Sequence, residues 1–145
     1  MSDELTDISG AAISSTLPKV NGLHHIRIPV SDLSATEDWF AQTFGFESIL
    51  ITEAEDRVIG VVMKHASGIH IGLHDAPDRS AALRDFALIG LTVSDLGAWP
   101  SQLDAIGVEH GDIIDAHLGK RLLVYGPNGL VVEIHSPIQP SAEDA

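Results

Sequence analysis

The chain of 145 residues contains no cysteine, which excludes a disulfide scaffold, cysteine-ligated zinc, iron–sulfur clusters and thiol catalysis together. Basic residues are scarce: eight Lys and Arg stand against 21 Asp and Glu, a net charge of −13. A surface of that sign repels polyanions, so neither nucleic acid nor an anionic membrane is expected as a partner. No apolar run approaches the ~20 residues of a membrane span. The acidic start MSDE lacks the positive and apolar regions of a signal peptide. The expected location is therefore cytoplasmic. Neither GxGxxG nor GxxxxGK[ST] occurs, so no nucleotide cofactor is expected. GxSxG is absent too, and Ser-His-Asp chemistry has no support.

What is present is enough for one core. Hydrophobic residues make up 44% and charged residues 20%, the balance of a single globular domain. Residues 1–19 are rich in Ser, Thr and Asp without a sustained period and read as a mobile tail, as do residues 139–145. The domain is expected over 20–138, and it contains a repeat. VSDL at 30–33 recurs at 93–96. Each copy is followed by an amphipathic helical pattern, 35–44 and 97–106, that closes on a glycine, Gly45 and Gly107. Trp39 and Trp99 occupy matched places and read as core packing.

Strand-like runs flank each helix: 25–30, 48–51, 58–63 and 68–75 in one unit, and 88–93, 110–114, 121–125 and 129–136 in the other. GPNG at 126–129 signals a tight turn between the last two. Residues 75–80 read as a linker, with a helical turn over 81–84. The order is strand–helix–strand–strand–strand, twice. The expected fold is α+β: two βαβββ units, about 22–76 and 86–137, forming an open, cupped eight-stranded mixed sheet with helices outside.

This repeated unit, with the phrases HHIRIPVSDLSATEDWFAQTFGF and GPNGLVVEIHSP, resembles the vicinal oxygen chelate superfamily. That superfamily includes glyoxalase I, extradiol dioxygenases, fosfomycin-resistance transferases and bleomycin-resistance proteins. The resemblance covers nearly all of 22–137. It implies a cup that, in catalytic members, holds a divalent metal on ligands from the first and last strands of the units. Carried over by position, it offers His25 from the first strand and Glu133 from the last. The matching places in the other strands hold Leu88 and Gly72. The resemblance also implies a homodimer, with the two units paired within a chain or exchanged between chains.

Alternation along a strand places His70 on the same face as Gly72. His25, His70 and Glu133 would make a two-His, one-carboxylate set suited to iron, manganese, nickel or zinc. In the competing reading Arg27, on the face of His25, neutralises Glu133 and His70 is an ordinary pocket histidine. His74 and His135 hold matching places and would line the cup mouth or shuttle protons. Arg121 and Tyr125 would reach substrate from one strand, and Leu88 would supply an apolar wall. His24 is expected on the opposite face from His25, and His65, His110 and His117 at the surface.

Two functions follow. In the first the protein is a glyoxalase-like enzyme (lyase, isomerase or dioxygenase) acting on a small oxygen-rich or carbonyl-containing molecule. Its catalytic residues would be Glu133 and His25, with a metal or by metal-free acid–base chemistry. In the second it sequesters a small molecule, as bleomycin-resistance proteins do. An aromatic content of 5% leaves few rings to stack a sequestered ligand.

Overall fold

The computed structural model describes residues 16–138; of the expected tails 1–19 and 139–145, residues 1–15 and 139–145 lie outside the described residues, and 16–19 are exposed and in neither helix nor strand. The order is β1 (Ile26–Val30), α1 (Leu33–Phe44), β2 (Glu47–Ala54), β3 (Arg57–Lys64), β4 (His70–Asp75), α2 (Pro77–Ala82), β5 (Ala87–Thr92), a 3₁₀ turn (Leu96–Ala98), α3 (Trp99–Ala105), β6 (Ile114–Ala116), β7 (Gly119–Tyr125), a 3₁₀ turn (Pro127–Gly129) and β8 (Val131–His135). The eight strands divide into two mixed sheets, ordered β1-β4-β3-β2 and β5-β8-β7-β6. In each, the first and last strands of a unit pair in parallel.

Local chemistry explains the helix between them. The Asp32 side chain accepts from the Ala35 N–H at 3.0 Å and starts α1. Gly45, at φ +78°, ends it by donating its N–H to the Ala41 carbonyl. Thr36, Trp39, Phe40 and Thr43 fall on the buried face at helical spacing. In unit two, Pro100 sits in the first turn of α3, where a missing N–H costs little.

Alternation sorts each strand into a core face and an open face. Ile28 and Val30 of β1, Val61 and Met63 of β3, and Ile71 and Leu73 of β4 are buried beneath α1. Ile89, Leu91, Leu122, Val124, Val132 and Ile134 do the same in sheet two. The halves meet through helices and turns: α1 and α2 both touch the Pro127–Gly129 turn, and the Asp85 N–H donates to the Gly129 carbonyl at 2.8 Å. Phe44 lies 5.7 Å from Trp99 across this seam. Trp39 is buried and Trp99 packs against the same core, as their matched spacing implies.

Two local expectations are corrected. Residues 110–114 do not form the sixth strand; it occupies Ile114–Ala116, and His110 makes only an isolated bridge to Val124. His110 is also held, not simply solvated. Its Nε2 lies 2.7 Å from Asp104 Oδ1 and its Nδ1 2.6 Å from the Gly111 carbonyl. Both partners accept, so both ring nitrogens must donate, which favours the imidazolium. The Gly111 carbonyl first, then Asp104, raise the His110 pKa above 6.5.

That shift has a sign. A pKa raised on folding adds stability that is fully present below the unfolded value and is lost as pH rises through the folded one. The melting temperature should therefore fall as pH rises from about 6.5, the ordinary histidine value, through the raised value of His110. His110→Gln, scanned calorimetrically in parallel, should flatten that decline.

Candidate functional site

The open face of sheet two carries a compact polar cluster. Glu133 and His135 follow each other on one side of β8, while Ile134 between them enters the core. On β7, alternation turns Arg121, Leu123 and Tyr125 to that side, with Leu122 and Val124 buried behind. The antiparallel register sets Leu123 opposite Glu133 and Arg121 opposite His135, so Arg121 reaches Glu133 diagonally. Arg121 Nη1 donates to Glu133 Oε2 at 3.1 Å. His135 Nε2 makes a close contact with the other oxygen, Oε1.

One carboxylate thus lies between a guanidinium and an imidazole, all three side chains only 20–30% exposed. An ionised carboxylate can only accept, so His135 must carry its proton on Nε2, leaving Nδ1 as a lone-pair acceptor. Gly90 pairs with Glu133 across β5 and leaves the neighbourhood open: a Cβ there would stand 3.9 Å from His135 Cδ2. Tyr125 extends the same face by one further register step, opposite Val131.

Sheet one presents a second set. Its register repeats that of sheet two: Arg27 pairs with Gly72 and Pro29 with His74, as Gly90 pairs with Glu133 and Thr92 with His135. Gly72 is therefore the structural twin of Glu133. The His25 ring lies over it, its Cδ2 3.8 Å from where a Cβ would stand. His25 and His70 share a hollow of about 240 Å³ with Ser67, Gly68 and Ile69. His24 lines that hollow too, contrary to the opposite-face expectation, with its Nδ1 2.9 Å from His25 Nδ1. Both residues precede the first residue of β1, so strand alternation does not yet govern them.

Arg27 and His74 face a separate cavity of about 410 Å³ against α2. Leu88 sits at a register irregularity between Ala87 and Ile89 and lines a crevice with Pro29, Leu83 and Phe86. The guanidinium beside Glu133 is therefore that of Arg121, and the pairing expected from Arg27 is not made. Strand alternation assigns a face but not a neighbour, and Arg27 belongs to the other sheet.

The fit to a divalent cation follows from these positions. His25 and His70 are together on sheet one, but both Glu133 oxygens are engaged by Arg121 and His135. Among the described residues, no three His, Asp or Glu side chains are grouped so as to hold a metal ion. The donor set of one chain does not fit such an ion.

The chain resembles several solved structures in fold. The fosfomycin resistance protein FosX from Listeria monocytogenes is 19% identical, with 87% of this chain and 98% of that one covered and a TM-score of 0.63. The glyoxalase family protein from Enterococcus faecalis is 18% identical, with 80% and 98% covered and a TM-score of 0.66. A glyoxylase/bleomycin resistance protein/dioxygenase domain from Frankia sp. EAN1pec is 16% identical, with 81% and 98% covered and a TM-score of 0.64. The Listeria protein has also been crystallised with Mn(II). No curated protein matches the chain. The family model for the Glyoxalase/Bleomycin resistance protein/Dioxygenase superfamily matches residues 22–134, the span of both sheets and the seam between them, and the chain belongs to that superfamily.

Proposed function

We propose that the protein binds a small oxygen-rich or carbonyl-containing molecule and acts on it by metal-free acid–base chemistry centred on Glu133 and His135. The carrying observation is the doubly engaged carboxylate, with Arg121 on one oxygen and His135 on the other. Glu133 orients the imidazole and stabilises its protonated form, while Nδ1 accepts a proton from the substrate. Arg121 has further N–H donors to polarise a substrate oxygen. Tyr125 offers a hydroxyl at the rim of the same face.

His25 would complete the centre from the opposite wall of the cup. Within one chain neither cavity on the open face of sheet one includes a residue of sheet two. A second copy of the chain is the natural source of that wall. The edge strand β2 supports this: it is exposed along its whole length, with Ile49, Leu50 and Ile51 between 52% and 61% exposed. Three consecutive apolar residues on a long free edge call for a cover. The wild-type protein is expected to sediment as a dimer, and Leu50→Glu to shift it towards monomer at micromolar concentration. A monomeric wild type would overturn the dimer.

The chemistry is tested by metal analysis of untagged protein, alone and after incubation with Mn(II), Fe(II), Ni(II) or Zn(II). Retention far below one ion per chain is expected, unchanged in Glu133→Ala and His70→Ala. Near-stoichiometric metal lost in both variants would overturn the metal-free reading. In parallel, small 2-oxo acids and vicinal diols are screened by thermal shift. A true ligand at 100 times its Kd stabilises by about 2.7 kcal/mol, and Arg121→Ala or His135→Asn should abolish that shift.

A further inference from the structure

The acidic chain contains eight Lys and Arg, and four of them have carboxylate partners: Arg57 with Asp75, Arg84 with Asp85, Lys120 with Asp115 and Arg121 with Glu133. Among the described residues, Lys19, Arg27, Lys64 and Arg79 do not. Two of these four, Arg27 and Arg79, converge on one cavity. In a protein carrying 21 acidic side chains, these two exposed guanidiniums have no carboxylate partner and keep their N–H donors available to an anion.

The fold brings them together. Arg27 stands on the open face of β1, where its neighbours Ile26 and Ile28 turn the other way. Arg79 belongs to α2, which returns over β1: the Ala76 N–H donates to the Val30 carbonyl at 3.0 Å and fixes where the helix begins. His74, opposite Pro29 in the register, adds an imidazole to the same cavity. Asp75, next to His74, is on the alternate side of β4 and is held by Arg57 at 2.7 Å, and Asp78, next to Arg79, is exposed and does not line the cavity. The remaining walls are apolar: Pro29, Ala76, Ala82 and Leu83. The volume of about 410 Å³ suits a small molecule.

We infer that Arg27, Arg79 and His74 form a binding site for a small organic anion: a carboxylate or phosphate monoester on a short aliphatic or aryl body. The guanidiniums take the anionic head in charge-assisted hydrogen bonds, and Pro29, Ala82 and Leu83 cover the body. Within one chain no residue of the Glu133–His135 centre lines this cavity.

Titration calorimetry on the whole protein tests it, using phenyl phosphate, benzoate, hexanoate, inorganic phosphate and the uncharged benzamide. Phenyl phosphate or benzoate is expected to bind, and the tighter of the two identifies the head group. Benzamide and inorganic phosphate should each bind about tenfold more weakly or worse, for want of charge and of an apolar body respectively. Arg27→Gln and Arg79→Gln, both at exposed positions, should each weaken binding about tenfold with unchanged melting temperature, and the double variant should abolish it. Arg121→Gln, which disarms the other centre, should leave it intact. No heat with any anion would overturn the inference, as would binding indifferent to Arg27 and Arg79 but lost in Arg121→Gln. Inorganic phosphate binding as tightly as phenyl phosphate would overturn the organic-ligand assignment.

Discussion

Replacing Phe40 with alanine should lower the free energy of unfolding by about 3–5 kcal/mol, the range for deleting a fully enclosed aromatic ring. The ring has no solvent exposure. Its centroid lies 5.0 Å from that of Trp39 and 5.5 Å from that of Phe46, both edge-on. These contacts add to simple burial, since aromatic pairs in such geometry contribute about 0.5–1.5 kcal/mol beyond their area. The α1 backbone cannot collapse onto β3 and β4 to refill the space without displacing Met63 and Ile71, which are themselves fully buried. Urea denaturation at constant slope would measure the loss. Phe44→Ala, at a half-buried position on the same helix, should cost visibly less.

The second large effect is expected at Gly126. A Cβ built there would stand 3.1 Å from Trp39 Cε2 and 3.2 Å from both Cδ2 and Cζ2. Contacts that close against a rigid buried indole cannot be relieved by a side-chain swing, so Gly126→Ala should destabilise by about 1–3 kcal/mol through overpacking. Because Trp39 is on α1 and Gly126 begins the turn after β7, the clash reports on the seam between the halves. In a Trp39→Leu background the same substitution should cost less, and the difference between the two costs measures the coupling of unit one to unit two. Equal costs in both backgrounds would place the strain elsewhere.

Much of the architecture is legible in the chain because two strong local signals repeat. VSDL marks the passage from a strand into a helical segment in both units, although only Asp32, and not Asp95, makes the side-chain cap. Gly45 and Gly107, both at positive φ, follow the helices. The period-2 pattern then separates Ile28 and Val30 from Arg27, and Ile134 from Glu133 and His135. Less of the site is legible. Facing direction is local, but who meets Glu133 depends on the register between β7 and β8, which no single strand encodes. His24 escapes the alternation rule because the strand has not begun. Arg79 lies in what reads as a linker, and only the return of α2 over β1 brings it to the same cavity as Arg27. His110 reads as a surface turn residue because the Asp104 that holds it lies a loop away, on α3.

Each four-stranded sheet is assembled from one contiguous stretch of chain, and no strand crosses to the other half. This topology divides folding into two local searches. The parallel pairing of β1 with β4 must wait for α1 and the β2–β3 hairpin to bring its ends together, and β5 with β8 likewise. Neither waits for the other half. The longest loops that must close before a sheet exists therefore lie within single units, which limits the entropic barrier that non-local strand pairing imposes. Docking of the halves, through Trp39, Gly126, Phe44 and Trp99, becomes a late step. A substitution at that seam should then speed unfolding while leaving the rate of folding almost unchanged.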